Sequence, residues 1–412
     1  MTSAAVSWLS SSSAEITRAR HVLKSLIPTG VIDELGFLLL QGAFAEHFYP
    51  AVTTPMTRAR YLVFVPAIYR HLEESGKARR KDADRLSRDL QHDLLRALLD
   101  SRERAIGIEG GRNIVRPPSS IYWNALAVLG CATRRVSEAS YQRGLSEGLF
   151  GARVLRDDDG VAHDDDDESL WNAALSLSHV MPGGAFPQKT DFRLRKTEAE
   201  FLQAGYARVR PGGQHNLITH SVGLQTGRGT QGLEQIDYLW ELPSLAEETA
   251  DAAEHARKLS LFARGTTLQY HRMLIEKKKD EDTGAADAFG EWWKRAHSDM
   301  GSWDLEAFFA LIRRLNVVPR STDRSFFKDW IERCVSSRTS KAALDDTASR
   351  VLIAGREDRV RPGKQRLRVK YQLDAWGQPP YRADEIYLLR YRHQVGRVIA
   401  GDIAEGLRRG AA

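Results

Sequence analysis

A mainly α, multi-helical fold in one or two lobes, with at most a few short strands near the C-terminus, is what the sequence predicts. Three observations lead there. Apolar residues recur at spacings of three and four through most segments, while alternation at a period of two is scarce. The chain has 412 residues, 42% of them apolar, enough to bury a core without covalent staples. Its two cysteines, Cys131 and Cys334, lie far apart with no C-x-x-C, which argues against a disulfide framework or a structural zinc site and suits a reducing cytosol.

Taken in order, a first helix is expected over 14–26, opened by a capping box of Ser12 and Glu15 and stopped by Pro28 and Gly30. A second covers 36–48. A third covers 56–74, with Pro66 inside it as a predicted kink. Further helices fit 82–100, 119–131 and 137–147. An acidic run, 157–168, then self-repels and reads as a solvated loop. Helical spacing resumes over 171–180, breaks at Met181 to Pro187, and returns over 197–205. Rich in Gly, Gln, Thr and Arg, 210–232 reads as a loop or linker between an N-terminal lobe, 1–209, and a C-terminal lobe, 233–412. Long helices follow over 245–279, 303–315 and 323–334. The alternating stretch 367–373 (LRVKYQL) is the best strand candidate, though it could be a helix end. In a last helix, 382–407, Tyr387, Tyr391, Val395, Ile399, Ile403 and Leu407 form one apolar stripe.

Charge is concentrated. The formal net charge is +6, and the segment 350–370 alone carries eight basic residues against Glu357 and Asp358, which accounts for all of it. Arg350, Arg356, Arg359, Arg361, Lys364, Arg366, Arg368 and Lys370 are therefore the candidate phosphate contacts, because guanidinium forks match phosphate oxygens and such attachment is largely independent of sequence. Arg58 and Arg60 are lesser candidates that could equally pair with core carboxylates such as Asp33 or Glu34. Trp292 and Trp293, beside Lys294 and Arg295, could stack on bases but read better as packing anchors.

Other motifs point to no catalytic chemistry. Gly227, Gly229 and Gly232 spell G-x-G-x-x-G, yet no buried strand precedes them, so a dinucleotide site is not expected. No P-loop is present, since Gly363 and Lys364 are followed by Gln365. The acidic run lacks EF-hand spacing, His215 and His220 lack a zinc motif, and Glu276 with Lys278 is a lone E-x-K. No cofactor and no metal are expected. The N-terminus does not resemble a signal peptide, and the most apolar stretches, 36–40 and 61–69, fall well short of the ~18–20 residues that cross a bilayer. A cytoplasmic protein with no membrane span follows.

Five blocks resemble an uncharacterised bacterial family known as a domain of unknown function: DELGFLLLQGAFAEHFYPAVTTPMTRARYLVFVPAIY from Asp33, RPPSSIYWNALAVLGC from Arg116, DFRLRKTEAEFL from Asp191, ARKLSLFARGTTLQYHRML from Ala256 and RHQVGRVIAGDIAEGL from Arg392. The resemblance implies one architecture along the chain and a place near DNA-processing and phage-defence genes, with no catalytic residues to carry over. The expected function is that of a non-enzymatic accessory protein of a DNA-directed defence system. It would bind nucleic acid, DNA first, and possess a helicase or nuclease partner. Two alternatives stay open: a metal-dependent nuclease, with Asp and Glu converging beside a Lys, and a protein scaffold with an exposed apolar face.

Overall fold

In a computed structural model of the chain, the described residues are 33–78, 82–98, 116–150, 154–156, 162–164, 169–175, 177–187, 189–227 and 235–409. They form fifteen α-helices and one hairpin in which Val154–Arg156 pairs antiparallel with Ala162–Asp164. The chain is mainly α. The expected helix over 14–26 and most of the acidic run lie outside the described residues.

The first five helices are α1 (Leu38–Phe48), α2 (Tyr61–Ser75), α3 (Ala83–Leu98), α4 (Pro118–Val128) and α5 (Glu138–Glu147). Asp33 opens α1, its carboxylate accepting from the amides of Phe37 and Leu38 at 2.8 and 3.2 Å, which satisfies donors that a helix start leaves orphaned. Pro66 sits in the second turn of α2, and the helix runs through it. After α5 the expected helix over 171–180 is not found among the described residues, 171–175 and 177–180. Trp171 bridges to Ala132, and the buried Glu73 carboxylate takes the Ser169 hydroxyl at 2.6 Å and the Leu170 amide at 3.2 Å, holding the chain in turns.

Next come α6 (Lys196–Arg208) and α7 (Leu217–Thr226). A helix at α7 corrects the expectation of one long loop over 210–232. Asn216 caps it by accepting from the Thr219 amide at 3.0 Å, and Leu217, Ile218 and Val222 bury its inner face. Gly227 follows that helix, while Gly229 and Gly232 lie outside the described residues.

The axis of the C-terminal half is α8 (Glu247–Lys278), 32 residues and thus about 48 Å long. From Leu259 to His271 it is buried all round. Around it lie α9 (Ala285–Gly301), α10 (Leu305–Arg314), α11 (Ser321–Ser336), α12 (Ser340–Asp345), α13 (Thr347–Val360) and α14 (Lys370–Asp374). Gly265 lets α9 approach: a Cβ there would meet the Trp292 indole at 2.3 Å. Trp292 is a packing anchor whose Nε1–H donates to the Leu261 carbonyl at 3.0 Å, and Trp293 stacks on His297.

The last helix, α15 (His393–Arg408), packs on α6 and α7, so buried side chains run continuously across the linker expected at 210–232. It starts eleven residues later than the apolar stripe suggested. Tyr391 and Arg392 take φ of +48° and +61°, a left-handed conformation that interrupts any helix running from 382. The Tyr391 hydroxyl donates to the Ala256 carbonyl at 2.6 Å and Arg392 donates to the Val52 carbonyl at 2.5 Å, which fixes the break.

Cys131 and Cys334 are both free and buried. Burial pushes each thiol up to about 12. In the native protein at pH 8, neither is expected to react with Ellman's reagent while the fold holds, and two thiols should titrate in denaturant. Rapid colour from the native protein would show that one of them reaches solvent.

Candidate nucleic-acid interface

The basic segment folds as a helix end, a turn and a short helix. Asp346 caps α13, accepting from the amide and hydroxyl of Ser349, each at 2.7 Å. The buried face of α13 is Ser349, Ile353, Arg356 and Glu357, which is helical spacing with charged residues at its lower end.

Arg356 points inward. Its guanidinium pairs with Asp323 of α11, its Nε donates to the Leu35 carbonyl at 2.8 Å, and it lies over the Phe326 ring at 5.5 Å. Neighbouring Gly36 has φ of +77°, and a Cβ there would meet Val360 at 2.7 Å, so the chain can pass only as glycine. Glu357 is fully buried and takes three donors: the Arg366 amide at 2.7 Å, the Leu367 amide at 3.1 Å and the Tyr270 hydroxyl. Arg366 is buried as well and pairs with Glu34, whose other oxygen meets His271 Nε2 at 2.6 Å. Burial works against the Glu34 carboxylate, but the hydrogen bond and charge of His271 and the pairing with Arg366 outweigh it and hold Glu34 below its ordinary value.

These contacts also remove the expected strand over 367–373. With two amides held by Glu357 and the Val369 amide bonded to the Gln365 carbonyl at 2.8 Å, the chain turns into α14 instead of extending.

The ten nominated cations therefore separate. Arg356 and Arg366 are internal staples. Arg350 binds Glu276 and Asp345 at 2.7 and 2.8 Å, which also accounts for the E-x-K glutamate. Arg58 donates to Asp402 of α15 at 2.8 Å, and Arg60 pairs with Asp191 and Glu198, each at 3.2 Å. Asp33 and Glu34 are not their partners. Desolvation raises the Asp402 carboxyl above its ordinary value, opposed by Arg58. These five guanidiniums face carboxylates of the protein, so they are corrected from phosphate contacts to structural ties. Arg361 is half-buried, and Arg368 is exposed with Asp358 beside it. Arg359, Lys364 and Lys370 are exposed with no ion-pair partner among the described residues.

Sequence reasoning missed His271, Tyr270 and Asp323 and offered Glu34 as a partner for Arg58 or Arg60 instead of Arg366; these four hold the turn from beneath. A signal existed for Arg356 and Glu357, which continue the helical spacing of Ile353 and Ser349.

A family model matches residues 3–405, that of the family of unknown function DUF6361. The chain belongs to this family. No curated protein and no solved structure matches it. Within the family match, four of the five blocks quoted above supply many of the internal ties: Glu34, Arg58 and Arg60 from the first, Asp191 and Glu198 from the third, Tyr270 and His271 from the fourth, Asp402 from the fifth. The turn 359–370 lies outside those blocks. Among the described residues no group of three or more His, Cys, Asp or Glu side chains is placed to hold a metal ion, and no helix is long and apolar enough to cross a membrane.

Proposed function

We propose that this protein is a cytoplasmic, non-enzymatic accessory subunit of a bacterial DNA-directed, anti-phage defence system and that it grips nucleic acid, DNA first, through the turn 359–370. The observation that carries the binding is the charge of that turn. Six basic residues and no acidic one fall in 359–370, and the structure leaves Arg359, Lys364 and Lys370 in solvent without a carboxylate partner among the described residues. Because the turn is fastened at Arg356 and Arg366, its cations are held in place before a ligand arrives, which lowers the entropy cost of binding. The defence assignment and the helicase or nuclease partner rest on the five resembling blocks.

Titration of labelled double- and single-stranded DNA and RNA at several salt concentrations, with and without Mg²⁺ or Mn²⁺, tests the reading. Binding should weaken steeply with salt. The variant Arg359→Ala/Lys364→Ala/Lys370→Ala should flatten the slope of log K against log salt by about 3, at roughly 0.9 for each phosphate no longer neutralised. Arg350→Ala, which removes a paired cation, should leave the slope unchanged. Absence of binding to every nucleic acid would sink the reading in favour of the protein scaffold, and metal-dependent shortening of the strand would favour the nuclease.

A further inference from the structure

A cleft of about 650 Å³ opens beside α1, lined by residues from both halves of the chain. Its walls come from α1, the ends of α4 and α10, the turn after α6 and the start of α8. That volume lies within the range of small-molecule sites, about 300–1,000 Å³. Aliphatic side chains such as Val128, Val209 and Leu311 form part of the lining.

The charges around it are out of balance. Arg135, Arg210 and Arg314 line the cleft, all three exposed and none with an ion-pair partner among the described residues. Arg58, Arg257, Arg272, Arg350, Arg356 and Arg366, by contrast, each sit against a carboxylate. Two carboxylates share the cleft: Glu46 is neutralised by Arg392 at 3.0 Å, whereas Glu248, which accepts from the neutral Gln214 amide at 2.6 Å, offsets one of the three guanidiniums and leaves a surplus of two. His47 adds no charge at neutral pH, since burial first and Arg314 second lower its pKa. Three guanidiniums from three different segments thus face one partly apolar hollow.

We infer that this cleft is a binding site for a nucleotide-sized organic phosphate, its phosphate held by Arg135, Arg210 and Arg314 and its body lying on the aliphatic lining. Planar guanidinium forks match phosphate oxygens in pairs, and a dianionic group offsets the surplus of positive charge. The site uses none of the residues of the 359–370 turn, so it stands independently of the nucleic-acid reading.

The experiment is a thermal-shift and calorimetric comparison of the full chain with AMP, ADP and glucose 6-phosphate against uncharged adenosine and glucose. At least one phosphate compound should bind while its uncharged counterpart does not. Arg135→Ala/Arg210→Ala/Arg314→Ala should weaken that binding at least ten-fold, and Arg314→Ala alone serves if the triple variant misfolds. Arg359→Ala/Lys364→Ala/Lys370→Ala should bind the same compound unchanged. Failure of all three phosphate compounds at millimolar concentration overturns the inference, as does binding that survives removal of the cleft arginines.

Discussion

Glu357→Ala is expected to destabilise the protein by about 3–5 kcal/mol, because three buried donors lose their only acceptor at roughly 1–3 kcal/mol each. The carboxylate is fully buried and is the acceptor for two backbone amides and a phenol. Alanine leaves the amides of Arg366 and Leu367 and the Tyr270 hydroxyl with no acceptor, and an unsatisfied buried donor costs about 1–3 kcal/mol. Tyr270→Phe should cost much less, about 1 kcal/mol, because it removes one donor and leaves Glu357 with both amides. Urea unfolding of the three proteins at pH 7 gives the order. A Glu357→Ala loss below that of Tyr270→Phe would mean that the turn 361–367 is not held by this carboxylate. The two halves of the candidate interface are also linked here: the same carboxylate that anchors the fold sets where Lys364 and Lys370 emerge.

That link explains which parts of the protein were legible beforehand. Charge counting located the basic segment, because an excess of cations is a property of composition. It could not separate Arg356 from Arg359, which differ by three positions on one helix; the difference is the presence of Asp323 and Leu35 opposite one of them, contacts spanning 33 and 321 residues. Periodicity found α8 and most of the N-terminal helices, where the apolar stripe and the buried face coincide. It overran at 382–392, because Tyr387 and Tyr391 pack on Trp240 from an irregular segment whose spacing happens to mimic a helix. It missed α7, because glycine-rich composition hid a ten-residue helix capped by Asn216. Local pattern records the solvent-facing side of an element well. Long-range ion pairs that bury charge leave little trace in it.

A second large effect follows from His393 at the start of α15. Its ring lies in the interior, with Nδ1 facing the Tyr49 hydroxyl at 2.5 Å and Nε2 facing the Ile236 carbonyl at 3.1 Å. A carbonyl can only accept, so Nε2 carries the hydrogen and Nδ1 accepts from Tyr49, which defines the neutral tautomer. Burial lowers the pKa from 6.5 to about 4, helped by Arg397 and opposed by the Ile236 hydrogen bond. Between those values the unfolded chain binds a proton that the native ring refuses. The contribution to stability is therefore complete above pH 6.5 and falls away as pH drops toward 4, by about 3 kcal/mol at roughly 1.4 kcal/mol per pH unit. His47 and His255, also lowered first by burial, act in the same direction. To isolate one site, urea unfolding of the wild type and of His393→Gln should be compared from pH 7 to pH 4. Glutamine keeps a donor and an acceptor but does not titrate. The variant should start less stable at pH 7 and lose about 3 kcal/mol less on acidification, so the two curves converge; parallel curves would show that protonation of His393 does not oppose the fold.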